Sequence, residues 1–189
     1  MSNSIGKLLV FTCFGESHGN CIGAVVDGCP SGLPLSVEDI QIELDKRKPQ
    51  DVGGTTRKES DKVEIVSGLF NGFTTGAPIC LIVENKDVDS SSYEKMKFTP
   101  RPGHADYPAY IKYGGYNDYK GGGRFSGRIT AAFVMAGAIA KKLLNILSID
   151  IVAHTVQIGT IKASTASFEE AKQNVDKNSL KCADRVHFS

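Results

Sequence analysis

The stretch LLVFTCFGESHGNCIGAVV, Leu8–Val26, decides the fold class. Two apolar, β-favouring runs, 8–13 and 21–26, flank a short polar segment bounded by Gly15 and Gly19, and this pattern reads as two strands joined by a tight turn. Similar runs follow at 63–66, 78–83 and 149–161, with glycine or proline near most of their boundaries. Between them, 36–46 sets Val37, Ile40 and Leu44 at helical spacing behind Ser36 and Asp39, a capping box with a shortened acid. The stretch 126–147 is the longest helical candidate, with Ala131, Ala132, Met135, Ala138, Ile139 and Leu143 at three- and four-residue steps. A third helix is expected after Ser167, where Glu170 completes a capping pattern. Strands first paired by short turns and then interrupted by helices predict mixed α and β layers, not a regular alternating βαβ array. The polar segment 86–96 reads as a mobile surface loop.

The chain has 189 residues, of which 41% are hydrophobic and 23% charged, so a wholly disordered protein is excluded and one domain is expected. Lys and Arg number 22 against 21 Asp and Glu, a net charge of +1. That balance lacks the basic excess expected of nonspecific nucleic-acid or membrane-surface binding, so any cationic function is local. The longest apolar run, 129–140, stops at Lys141 and Lys142, short of the ~20 residues of a membrane span. With no signal-peptide pattern at the start, the expectation is a soluble, cytoplasmic protein. The five cysteines form no Cys-x-x-Cys pair and read as small buried hydrophobes, not as a disulfide framework.

Three segments combine rigid or permissive backbone with groups that bind anions or move protons: 15–19 (GESHG), 101–106 (RPGHAD) and 121–128 (GGGRFSGR). In the last, glycines allow close backbone approach, and a following helix would turn unpaired N–H groups toward an anion. Arg124 and Arg128, four apart, would both lie near its N-terminal end if the helix begins early enough. Prolines and glycine fix the path around Arg101 and His104, and histidine suits proton transfer because its ordinary pKa of ~6.5 lies near neutrality. His18 follows a strand and precedes Gly19; His154 and His187 read as structural or surface residues.

Familiar motifs fit poorly. Segment 15–19 satisfies Gly-x-Ser-x-Gly, which would make Ser17 a hydrolase nucleophile, but the elbow needs a helix after it and a strand follows here. Gly122 and Gly127 have P-loop spacing, yet Arg128 and Ile129 stand where Lys and Ser or Thr belong. Ser126 takes the place of the third glycine of a dinucleotide fingerprint, and no metal-ligand pair is present. What remains is a proton-transfer site with several arginines for an anionic ligand.

Taken together, these three motifs resemble the chorismate synthase family, and the likeness extends in the right order through 21–28, 74–79 and 136–142. The resemblance implies a lyase that converts 5-enolpyruvylshikimate 3-phosphate to chorismate and phosphate by trans-1,4 elimination. It also implies bound reduced FMN with NADPH as a possible reductant, a homotetramer, and neither nucleic acid nor membrane as partner. The implied fold is a mixed layered β-α-β sandwich of the α+β type. Family enzymes are about twice as long, so 1–189 is expected to be the N-terminal portion of a single domain, and as it stands an anion- or flavin-binding piece without turnover. Within that resemblance His18 is the candidate proton donor to the leaving phosphate, and His104 lies near the flavin. Arg47, Arg101, Arg124 and Arg128 match substrate- or phosphate-binding positions; Arg124, Phe125, Ser126 and Arg47 match flavin-contacting ones. Departures from the family pattern are Lys46 and Lys48 beside Arg47, no arginine near Gly53 and Gly54, and Phe125, Gly127 and Ile129 in the glycine-rich motif.

Overall fold

Alternation along the first two long strands builds the core. β1 (Ser4–Ile5), β2 (Val10–Gly15) and β3 (Cys21–Asp27) run antiparallel, with Phe11 opposite Val26 and Cys13 opposite Ala24. Because strand side chains alternate faces, these four side chains point to one side, where all are buried. The computed structural model of the protein describes residues 3–47, 61–86 and 90–184, apart from the side chains of Lys95 and Met96. Lys48, Gly53, Gly54 and His187 lie outside the described residues.

After β3 the chain forms α1 (Val37–Lys46), whose Ser36 and Asp39 make the expected reciprocal cap. β4 (Val63–Ser67) follows, then the short hairpin β5 (Leu69–Phe70) and β6 (Phe73–Thr74), and β7 (Ile79–Glu84). β7 inserts between β3 and β4, so the five-stranded sheet has the order β1-β2-β3-β7-β4 and every pairing is antiparallel. The register places Ala24 opposite Leu81 and Leu81 opposite Ile65, and Ile22 opposite Val83 and Val83 opposite Val63. This continues the apolar rows of the inner face.

α2 (Ser91–Met96) and α3 (Asp106–Tyr113) come next, then a glycine-rich 3-10 segment at Lys120–Phe125 and a single 3-10 turn at Gly127–Ile129 leading into α4 (Thr130–Ile146). α2 corrects the loop reading of 86–96 over its second half. Ile40 and Leu44 from α1, with Ala131, Ala132, Met135 and Ile139 from α4, join the inner face of the sheet in one apolar cluster. Lys142 pairs with Asp39, Lys141 with Glu43 at 2.7 Å, and Arg47 with Thr130 at 3.1 Å. The start of α1 thus meets the end of α4, and the two helices lie antiparallel. The helical stretch Gly127–Ile146 is long and apolar enough by length and composition to cross a bilayer. Apart from Arg128, its buried residues are those of this core.

The described residues fall into two compact units, one running through Leu143 and the other from Leu144. The second holds the hairpin β8 (Gln157–Ile158) and β9 (Ile161–Lys162) and the helix α5 (Phe168–Asn174), capped as expected by Ser167 and Glu170. A long strand over 149–161 is not formed. Apart from the two-residue pieces and a bridge at Thr155, that run is irregular, and Ile149, Ile151, Val156, Ile158 and Ile161 remain exposed. All five cysteines are free; Cys13, Cys29 and Cys182 are buried, while Cys21 and Cys80 are half-buried.

Candidate active site

The turn between β2 and β3 carries the first histidine. The Gly19 N–H donates to the Glu16 carbonyl at 3.0 Å, which closes a four-residue turn with Ser17 and His18 at its centre. Ser17 is buried, and its N–H donates to the Gly123 carbonyl at 3.2 Å. A β-hairpin turn cannot present Ser17 as a nucleophile elbow does, which removes the hydrolase reading. His18 Nδ1 lies 2.9 Å from Ser90 Oγ, and its ring meets Tyr93 edge-on with centroids 5.1 Å apart. The opposite side of the imidazole packs on Gly121: a Cβ there would fall 2.2 Å from His18 Cδ2 and 2.5 Å from Nε2. Gly121, Gly122 and Gly123 all have positive φ, at 60°, 79° and 50°, so this loop demands glycine for backbone conformation as well as for space.

Tyr93 joins the first motif to the second. The Arg101 guanidinium lies over the Tyr93 ring, 5.6 Å from its centroid. Asp106 grips Arg101 with two prongs, Nε at 2.8 Å and Nη2 at 2.9 Å, and accepts the Arg101 backbone N–H at 3.0 Å. The Arg101 guanidinium holds the Asp106 carboxyl below the usual carboxylate range, and Asp106 in turn raises the pKa of Arg101. His104 is exposed on the turn that its own N–H closes onto the Arg101 carbonyl at 3.3 Å.

Arg47 and Arg128 converge on one buried carboxylate. Asp61, 4% exposed and in the left-handed region at φ 34°, accepts Arg47 Nη1 at 3.3 Å through one oxygen and Arg128 Nη1 through the other. Arg47 also donates to Thr130 Oγ1 at 3.1 Å, and Arg128 Nε to Asn85 Oδ1 at 3.1 Å. Arg124 goes elsewhere: its Nε donates to Asn3 Oδ1 at 3.0 Å and its Nη2 to Cys13 Sγ at 2.9 Å. The four-residue spacing therefore does not set Arg124 and Arg128 side by side at a helix start. The extended Ser126 (φ −68°, ψ 146°) interrupts the helical path between them. Ser126 instead caps the turn that follows, its Oγ accepting the Arg128 N–H at 3.3 Å.

Arg124 and Phe125 line a concavity of about 270 Å³ with Glu16, Tyr113, Tyr116, Asn117 and Asp118. His18, His104, Arg101, Arg47 and Arg128 are not among its lining residues. The structure thus groups the candidates in three: His18 with Arg101 through Tyr93, Arg47 with Arg128 through Asp61, and Arg124 with Phe125 at the concavity. Glu16 touches the last group and begins the turn of the first.

The sequence matches the chorismate synthase family model over residues 9–187. The chain belongs to the chorismate synthase family. Chorismate synthase from Dehalococcoides mccartyi is 54% identical over 97% of this chain and 51% of its own length. The enzyme from Methanobrevibacter smithii is 56% identical over 97% of this chain and 50% of its own. A crystal structure of chorismate synthase superimposes with a TM-score of 0.70 at 29% identity, covering 94% of this chain and 50% of that one. The mixed α/β fold is thus that of a chorismate synthase, a lyase family, and the chain spans about half the length of the relatives it matches.

In this chain of the chorismate synthase family, sequence reasoning passed over Asp61, Asn85, Ser90 and Tyr93. Each sits among ordinary polar and charged neighbours, and only the fold brings it against a motif residue. The polar run 86–96 held the one available signal, because Ser90 and Tyr93 within it carry groups able to meet an imidazole.

Proposed function

We propose that this chain provides the N-terminal part of a chorismate synthase active centre, which eliminates phosphate from 5-enolpyruvylshikimate 3-phosphate in trans-1,4 fashion to give chorismate. The observation that carries this reading is the family match over residues 9–187, which takes in all three motifs. Cleavage of an allylic C–O bond leaves negative charge on the departing phosphate, so arginines and a proton donor placed beforehand lower the barrier. His18 is the donor. With Nδ1 tied to Ser90, proton exchange falls to Nε2, the atom turned toward the Gly121 loop. Arg101, held rigid by Asp106, and the Arg47 and Arg128 pair, held by Asp61, supply the positive charge.

Reduced FMN is the proposed cofactor, with NADPH as its reductant. The concavity fits part of such a group: Phe125, Tyr113 and Tyr116 offer aromatic surface for a flat ring, and Arg124 offers a cation. Arg124 and Phe125 would hold it there, while Ser126 keeps the loop in place and Arg47 is held beside Arg128 by Asp61. When bound, the reduced flavin supplies electron density to the substrate ring and takes it back, leaving the overall reaction redox-neutral. His104, exposed beside Arg101, is assigned to proton control next to that cofactor. A cytoplasmic homotetramer is the proposed working form.

A second reading applies to the 189 residues alone: an anion- or flavin-binding piece without turnover, favoured by their span of about half the relatives' length. Phosphate release by the full-length protein with reduced FMN tests the first reading, and calorimetry with FMN and substrate on the 189-residue chain tests the second. Separate His18→Ala and His104→Ala changes are expected to lower turnover roughly 10²- to 10⁴-fold. Wild-type rates in both variants would remove these residues from the chemistry.

A further inference from the structure

Asn85 follows β7 directly, and both ends of its carboxamide are engaged. Nδ2 donates to the Glu16 carbonyl at 3.0 Å and to the Gly19 carbonyl at 2.8 Å, while Oδ1 accepts Arg128 Nε at 3.1 Å. The backbone N–H of Asn85 donates to the Asn20 carbonyl at 3.0 Å. The orientation of the amide is forced, since two carbonyls require the NH₂ and a guanidinium N–H requires the oxygen. Glu16 and Gly19 are the two ends of the turn whose central residues are Ser17 and His18. One side chain therefore grips both ends of the histidine turn and, through its oxygen, Arg128 of the pair held by Asp61.

We propose that Asn85 is a positioning residue that couples the proton donor His18 to Arg128, so that the donor and the cation keep one fixed relation to the substrate phosphate. Only an amide serves both sides. A carboxylate of the same shape keeps the acceptor for Arg128 but sets negative oxygen against two carbonyls, which releases the turn. A serine is too short for either. The proposal rests on the lyase reading for its kinetic readout and not for its structural one.

The test uses the full-length protein with Asn85→Asp and Asn85→Ser. Asn85→Asp is expected to lower kcat about 10- to 100-fold with KM for substrate changed less than about threefold, because Arg128 keeps its partner. Asn85→Ser should lower kcat and also raise KM. In a His18→Ala background, Asn85→Asp should cost less than about twofold more, since the path it acts through is already cut. Nitrogen-15 spectra of the histidine rings should show the His18 imidazole signals displaced from their wild-type positions in both Asn85 variants. Wild-type kcat with unchanged His18 signals, or a loss that multiplies fully with that of His18→Ala, would overturn the proposal. If the unsubstituted protein releases no phosphate, the lyase reading fails by itself and the histidine spectra still decide the role of Asn85. If Asn85→Asp does not fold, Asn85→Ser is judged by the same spectra.

Discussion

Asp106 shows how much one carboxylate can do to hold a cation in place. Its two-pronged grip fixes the Arg101 guanidinium over Tyr93, and the ion pair depresses the carboxyl below its ordinary pKa. A depressed carboxyl contributes stability above its unfolded pKa of ~3.9 and loses it as pH falls through the folded value. Asp106→Asn is therefore expected to lower stability at pH 7 by about 1 kcal/mol or less, because the pair is partly solvated. Thermal unfolding from pH 7 downward should show the gap from wild type closing in acid; a gap that persists at pH 2 would place its origin outside this ion pair. Residues of this kind mark the boundary of what a sequence reveals. His18, His104 and the four arginines were legible because each sits among glycines, prolines or other charges in an unusual local composition. Asp61 and Asn85 were not, because their partners lie 43 to 69 residues away for the Asn85 carboxamide and 14 and 67 for Asp61. Composition near the residue carries no trace of them.

Elements with caps and periodicity were legible; short elements walled in by turn residues were not. α1, α4 and α5 announced themselves through Ser36, the alanine-rich spacing and Ser167. α3 escaped notice because Pro108 lies in its first turn, where proline is tolerated, and because Gly103 and the Gly114–Gly115 pair bracket it. The run 149–161 has strand-like composition but pairs only in short pieces, and a strand without a ladder partner gains too little to hold its shape. At the same scale, α1 and α4 are tied at the site end by Asp61, which sits under two guanidiniums from the C-cap of α1 and the turn before α4. Asp61→Asn keeps the shape and the left-handed backbone but strands two cations beside a neutral amide, at an expected cost of about 3 to 5 kcal/mol. Urea denaturation should show this loss, and combining it with Arg128→Met should recover part of it, because the better-buried cation is then gone as well. A double variant less stable than the single one would contradict the assigned role of Asp61.

For the molecule as a whole, the main apolar cluster and the residues packed against it lie between Leu9 and Leu143, within the first compact unit. A chain ending at Leu147 is therefore expected to keep a single cooperative thermal transition and the circular-dichroism signature of an antiparallel sheet with helices. A broad, noncooperative melt would show that residues beyond Leu147 belong to the same folding unit. The order in which the core's parts arise along the chain has its own effect during synthesis. All five sheet strands are complete at Glu84, whereas the long helix that shields their inner rows ends at Ile146, 62 residues later. At a translation speed of ~5 to 20 residues per second, a nascent chain holds that greasy surface half-bare for roughly 3 to 12 s. The ribosome-bound intermediate is thus a natural client for holding chaperones, and the brief window before its cover emerges is the period when neighbouring nascent chains can stick to it.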